Sequence, residues 1–600
     1  MRGRILRRFA PQNDSFGGLS GATRFTTRKD AMPRIALAAL LAAFASLALP
    51  SSAGAADGAT PGALTQEVPT FHCLGVRWVI EGDDNKNASI RLGYRKKGAN
   101  DWKRALDLFR VETSALQGVA VPAGSQLFAG SVFDLDENTD YELKLTLSDP
   151  DGGAATQTVS AKTWTEPLMT KPRRTLHVAP GAGAGAGTAA NPYKGLAAAD
   201  AAAQPGDLIL VHRGAYSGTW TMTASGTANA PICWRGAGDG EAVIDGGGAA
   251  RAISANSVKN VMLEGLTITH ATWGIVAHGA SDFTVRRCKF TSETGLSAHQ
   301  ADQRHIIILD CTMQGPCTWP RTKGIEEPEG FEVQGEGNII AYNRIAGVAD
   351  GISIFRGPSH ANDFYNNDIS ECTDDGIEMD YGGQNNRCFR NRLTNCFQGI
   401  SVQPLFGGPC YIFRNTMYNT ELETFKMHNN PSGFLVYHNT SVKAGMPLIL
   451  ATSAKVRRAI FRNNLFIGTA DKYAFEIMPP MEECDWDYDG FGGGPWGNFA
   501  KWNGKIYPTF EALRDGSGIE KHAVLVDPKT CFATGVLPPG TCKTQFPPAT
   551  NDLRPKAGSD AVDKGEPLPN INDGFRDKAP DLGACELGDP LPQYGPRPLP

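Results

Sequence analysis

The stretch TDDGIEMDYGG, Thr373 to Gly383, carries Asp374, Asp375, Glu378 and Asp380 within seven positions. Carboxylates so close together repel one another unless protons, basic side chains or a metal cation offset them. Two chemistries use such a cluster. A pair of carboxyl groups can serve as general acid and base on a glycosidic bond. Alternatively, carboxylates holding a cation can acidify a C–H beside a carboxylate, while a base removes the proton in a β-elimination. Basic partners are within reach only if distant segments come together: Lys426 and His428 in TFKMH, and Arg356 in GISIFRG.

A repeat supplies the means of bringing them together. Asn343, Asn367, Asn391, Asn415, Asn439 and Asn463 are spaced 24 residues apart. A fixed period in this range marks a solenoid, and a turn Asn on each rung can stack its amide on the next. Each period also holds a short alternating strand, such as GFEVQ, GISIF, GIEMD, GISVQ or TFKMH. Alternation turns Ile352/Ile354, Ile377/Met379, Ile400/Val402 and Phe425/Met427 inward. The outward columns then read Ser297/His299, Glu332/Gln334, Ser353/Phe355, Glu378/Asp380, Ser401/Gln403 and Lys426/His428. Asp350 and Asp374–Asp375 precede their strands, so five acids and Lys426 with His428 fall within four rungs of one face. Charge concentrated in this way marks a functional site.

The rest of the chain frames this coil. The 600 residues exceed what one core usually serves, and 68 Gly with 39 Pro suit a turn-rich β protein. Residues 1–55 form a leader: Met32, Arg34, the apolar run Ile35–Leu49 and Ala53-Gly54-Ala55 predict a signal peptide starting at Met32 and cleaved after Ala55. Secretion, extracellular or periplasmic, without a membrane span is therefore expected. The formal charge is −5; residues 1–55 hold eight Lys/Arg and two Asp/Glu, leaving 50 bases against 61 acids, or −11. That balance argues against nucleic acid as a partner. Residues 65–166 alternate in short runs between turn signals and predict a small β-sandwich, with Trp78 and Trp102 as core aromatics. The segment TEPLMTKPRR reads as a linker. Residues 172–480 form the coil behind a short Ala-rich capping helix (Pro192 to Ala203), and residues 481–600 lose the period and form an irregular closing extension. Thirteen Cys place Cys288/Cys311 and Cys372/Cys396 one rung apart, as disulfides or as stacked thiols. Asp485, Asp487 and Asp489 have the spacing of a calcium loop but lack its closing Glu; Trp496 stands there.

Two resemblances extend these expectations. LDENTDY, Leu135 to Tyr141, is similar to the L-x-P-x-T-x-Y turn of fibronectin type III domains, with Glu137 in the Pro position. The coil resembles secreted right-handed parallel β-helix proteins of the pectate-lyase-like superfamily, which implies an all-β fold: a right-handed parallel β-helix preceded by a small fibronectin type III-like sandwich. Within that group, EEPEGFEVQ…GISIFRG is similar to chondroitin and alginate lyases. This implies Glu327 and Glu329 as calcium ligands and Arg356 as the assisting Arg, with Gln334 where the basic Lys belongs. A second similarity, to polygalacturonase-type hydrolases, aligns Asp350, the Asp374–Asp375 pair and Lys426, with Gln398 in place of His and Val348 in place of Asn.

The expected function is a calcium-assisted lyase acting on an acidic, uronate-containing extracellular polysaccharide as a monomer. An inverting glycoside hydrolase and a non-catalytic glycan-binding adhesin are the alternatives. Lys426, His428, Arg356 and Asp375 are the expected catalytic residues. Glu378, Asp380, Gln334 and Gln403 would bind substrate, and Glu327, Glu329, Asp350 and Asp374 would bind Ca2+.

Overall fold

The computed structural model describes residues 57–324, 326–452 and 455–599. The expected leader lies outside them. No helix among the described residues is long and apolar enough to cross a membrane.

Alternating runs near the N-terminus build two four-stranded antiparallel sheets. One has the order Ala59–Gln66, Leu74–Gly82, Ser125–Val132, Phe109–Arg110, and the other Lys103–Arg104, Ser89–Lys96, Asp140–Ser148, Ala154–Lys162. Their inner faces share one core that includes Val76, Trp78, Ile80, Ile90, Leu92, Leu143 and Leu145. The Tyr141 hydroxyl accepts the Asp136 N–H at 3.0 Å, tying the turn before its strand. Trp102, expected in this core, lies half-buried outside it, sandwiched by Arg95 and Lys144.

From Arg174–Ala179 onward the chain winds as a parallel β-solenoid of about 12 turns. Helix Leu196–Ala202 closes its first end over Trp220 and Ile209. The inward positions stack in register, Ile352 on Ile377 on Ile400 on Phe425, all buried. The ladder does not stop at residue 480. Ile460 pairs with Asp485, Leu465 with Gly490, and Gly490 with Val524, so the coil runs on to Val524–Val526. Asp485 and Asp487 lie on this continuation. Asp485 pairs with Arg462, Asp487 accepts from His522, and Asp489 accepts from Asn464. Their carboxylates serve three different partners.

The Asn ladder forms as expected from Asn343 to Asn439. Each Nδ2 donates to the next Oδ1 at 2.9–3.0 Å: Asn343 to Asn367, Asn367 to Asn391, Asn391 to Asn415 and Asn415 to Asn439. The next member is Asn464, not Asn463, because that rung is one residue longer. Asn463 adopts positive φ and bonds His438 and Glu566 instead. A second, parallel ladder joins Asn338, Asn362 and Asn386. The thirteen Cys are free thiols, with Cys372 stacked on Cys396.

Burial makes the ladder costly to break. Asn391→Leu removes the acceptor of the Asn367 N–H and side-chain amide and the donor to the Phe364 carbonyl. Each orphaned group costs about 1–3 kcal/mol. Chemical denaturation is expected to show at least about 3 kcal/mol of lost stability, and a change below about 0.5 kcal/mol would contradict the ladder's role.

One flank of the coil is covered. Stacked Tyr365, Phe389 and Phe413 meet Phe71 and Phe133 of the sandwich. Buried Arg387 pairs with Asp363, which also accepts from Thr70 at 2.5 Å. The C-terminal segment returns along the coil, and Arg597 grips Asp310 and Glu166. Glu166 belongs to the expected linker, which is thereby strapped down.

Candidate active site

The outward column is in register as the alternation predicts: Ser297 on Glu332, Ser353, Glu378, Ser401 and Lys426. Beside it, where the strands begin, Glu329 pairs with Asp350, and the Asp375 N–H donates to Asp350 Oδ1 at 2.7 Å. Parallel rungs at ~4.8 Å thus bring Asp375 onto Lys426, 51 residues further along the chain.

Lys426 stands at the centre. Its Nζ lies 2.5 Å from Asp375 Oδ2 and 4.0 Å from Glu378 Oε1. Burial opposes its charge, but Asp375, Asp374, Asp380 and Glu378 together hold its ammonium well above the usual lysine range. The acids divide in the opposite direction. Burial and Glu332 push Glu329 up to about 8. Burial, Glu329 and the Asp374–Asp375 pair push Asp350 well up. Burial, Asp350 and Asp380 do the same to Glu378. Burial and Asp375 raise Asp374 to about 6, against the pull of Lys426, Arg321 and His428. Asp380, pushed by burial to about 7, accepts from Ser401 Oγ at 2.6 Å and from the Gln403 N–H at 2.5 Å. It braces the next rung instead of facing substrate, and the Gln403 backbone is its partner.

Several expected residues take other places. Gln334 donates its amide to the Arg356 carbonyl at 2.9 Å and so holds the register irregularity within strand Asp350–His360. Exposed Arg356 lies over Tyr381 at 5.6 Å and makes no ion pair among the described residues. His428 contacts Glu423 at 2.9 Å, away from Lys426. Glu327 is exposed beside Glu329 on the rim of a cleft. The expected calcium set, Glu327, Glu329, Asp350 and Asp374, does not converge. The convergent carboxylates are Asp350, Asp375 and Glu378, with ligand atoms within 4.8 Å of one another. Their hard oxygens suit a divalent cation, but the Lys426 ammonium already sits against two of them. The residues present therefore fit a built-in cation and bound protons better than Ca2+.

Two features escape the period. Arg321, on the long loop before Glu329, donates to the Thr373 carbonyl at 3.0 Å and stacks on Phe397, closing over the acidic turn. His299 meets Glu332 at 2.5 Å and Ser297 at 3.0 Å through the same Nε2. The 35 residues between Ser297 and Glu332 depart from the 24-residue period, while the outward columns read from the strands already set the two side by side.

Comparison with known sequences and structures bears on the coil. Residues 273–444 and 329–478 match the family described as right handed beta helix region. The coil is a right-handed β-helix. No curated protein matches the sequence. Among solved structures, the catalytic domain of a GH87 alpha-1,3-glucanase in complex with nigerose is similar at 11% identity and a TM-score of 0.30, with 75% of this chain and 91% of that chain covered. The A-module of the Azotobacter vinelandii mannuronan C-5 epimerase AlgE6 is similar at 12% identity and a TM-score of 0.23, covering 55% and 93%. Likenesses this distant say nothing about the chemistry of the groove.

Proposed function

We propose that the acid-rich face of the β-helix hydrolyses a glycosidic bond of an extracellular polysaccharide with inversion of configuration. One observation carries this reading: Glu329 and Asp374 lie two rungs apart, with their carboxyls poised on opposite sides of neutrality at about 8 and about 6. Titratable groups pushed apart in this way divide into acid and base.

Glu329, still protonated at neutral pH and largely buried beside Asp350, is the proton donor to the leaving oxygen. Asp374 is the base that draws a proton from the attacking water. Two rungs at ~4.8 Å put the two residues about 9–10 Å apart at the backbone. Carboxyls about 6.5–9.5 Å apart leave room for a water beneath the sugar ring, the geometry of inversion. Lys426 supports the reading as a fixed cation among the acids. It sits against Asp375 and Glu378; the negative charge left on Glu329 when it gives up its proton is matched by the proton that Asp374 takes from the attacking water. Elimination with Lys426 as base is set aside, since an ammonium so strongly held does not accept a proton.

Chelation discriminates between the two chemistries. Incubated with a panel of neutral, amino-sugar and uronate polymers, the protein is expected to release reducing ends from at least one of them at the same rate with and without a chelator. Near-ultraviolet absorbance from a conjugated double bond, lost on chelation, would instead establish the lyase. Binding without any product would make the face an adhesin.

A further inference from the structure

Upstream of the acids the groove continues into a cleft of 480 Å3, lined by Arg251, Trp273, His278, His299, Glu332 and Phe355. That volume is within the range of small-ligand sites. Trp273 is 38% exposed although it lies in the middle of a rigid strand, Thr267–Val276. Its position is continuous with the acids: Arg251 pairs with Trp273, Trp273 with Thr294, and the Thr294 hydroxyl accepts the Glu329 N–H at 3.1 Å. Opposite Trp273 the wall is also aromatic. His299 lies flat on Phe355, ring centroids 3.7 Å apart at 7° between planes, and stacks on His278 at 4.8 Å.

We infer that this cleft is a saccharide subsite in which Trp273 stacks on one pyranose ring of the chain, on the proton donor's side of the scissile bond, and that this ring bears no carboxylate. An indole face matches the apolar C–H face of a pyranose, while Arg251 and the Glu332–His299 pair present hydrogen-bonding groups to its hydroxyls. Trp273 lies two rungs before Glu329, about 10 Å at rung spacing, which places the ring beyond the leaving group's first sugar. The charge of the wall excludes uronates. Glu293 and Glu327 are exposed on the rim, Glu332 lies within, and Arg251 is the single guanidinium facing them. A substrate carboxylate there would meet like charge, which discriminates against it. The inference rests on the hydrolytic reading for the direction of the chain, but the binding itself does not require it.

The test uses the full chain carrying Asp374→Asn, which blocks turnover, in affinity electrophoresis. The probes are a neutral glucan, a partly deacetylated hexosamine polymer and polygalacturonate. At least one of the two carboxylate-free polymers is expected to retard migration, and its identity tells a neutral from an amino sugar. Adding Trp273→Ala weakens that binding about tenfold or more, as loss of an aromatic anchor does. Trp273→Phe keeps most of it, and the melting temperature stays put because the side chain is exposed. Retardation by polygalacturonate alone, equal binding by the Trp273→Ala variant, or no binding by any polymer would overturn the proposal. Should the hydrolytic reading fail instead, the wild type would yield no reducing ends while Trp273-dependent retardation persisted.

Discussion

Glu329→Gln is expected to lower kcat/KM on a natural polymer by about 10²- to 10⁴-fold, the usual worth of a positioned general acid. The substitution keeps the shape of the side chain and a group able to take the Ser353 hydroxyl's hydrogen bond, now 3.2 Å long. It also removes one carboxyl from beside Asp350, so stability should not fall. Two further readouts separate proton donation from a merely structural role. On a glycoside with an activated aryl leaving group, which departs without a proton, the loss should be far smaller. The alkaline limb of the wild-type pH profile, set near pH 8 by Glu329, should vanish, while the acid limb near pH 6, set by Asp374, should remain. Equal losses on both substrates with an unchanged profile would remove Glu329 from the role.

Lys426→Met is expected to destabilise the fold by about 3–5 kcal/mol at neutral pH, as breaking a buried pair from one side does. The cause is the partner left behind: Asp375 is fully buried, its Oδ1 has no hydrogen-bond partner, and Asp350 and Glu378 crowd it. The pH dependence follows from the direction of the shifts. Asp374, Asp380 and Glu329 have folded pKa values near 6, 7 and 8, above their unfolded values. Their protons therefore favour the folded state fully below about pH 4, and this contribution declines as the pH rises through 6 to 8. Lys426 offsets that decline in the wild type. The variant should lose stability more steeply over this window and recover part of it near pH 5. Pairing it with Asp375→Asn should restore much of the loss, since it removes the buried carboxyl that Lys426 would leave without its partner. Denaturation midpoints of the four members of this cycle at pH 5 and pH 8 supply the coupling. Additive losses independent of pH would show that Lys426 merely fills space.

The coil and the outward column were legible because alternation and a 24-residue step need no tertiary information. Ile352, Ile377 and Ile400 inward dictate Ser353, Glu378 and Ser401 outward, and a one-residue slip would reverse every one of them. The sequence was silent wherever a rung changed length. One extra residue moved the ladder from Asn463 to Asn464, and a 34-residue excursion between Gly490 and Val524 hid the continuation of the coil. The long loop before Glu329 gave no sign that Arg321 would close over the acidic turn. The state of the acids was likewise out of reach. Which carboxyl keeps its proton depends on burial and on cross-rung distances, and these turned Lys426 from a candidate base into a fixed cation. Arg356 and Gln334 show the opposite error: family-like spacing aligned them with the chemistry, yet one points over Tyr381 and the other bonds the Arg356 carbonyl.

The most direct test is the proton NMR spectrum of the first products, recorded before mutarotation scrambles them. A proton donor and a base two rungs apart predict a saturated reducing sugar whose anomeric configuration is inverted relative to the bond cleaved. A retained configuration, or a vinyl proton from an unsaturated sugar, would contradict the assignment of Glu329 and Asp374.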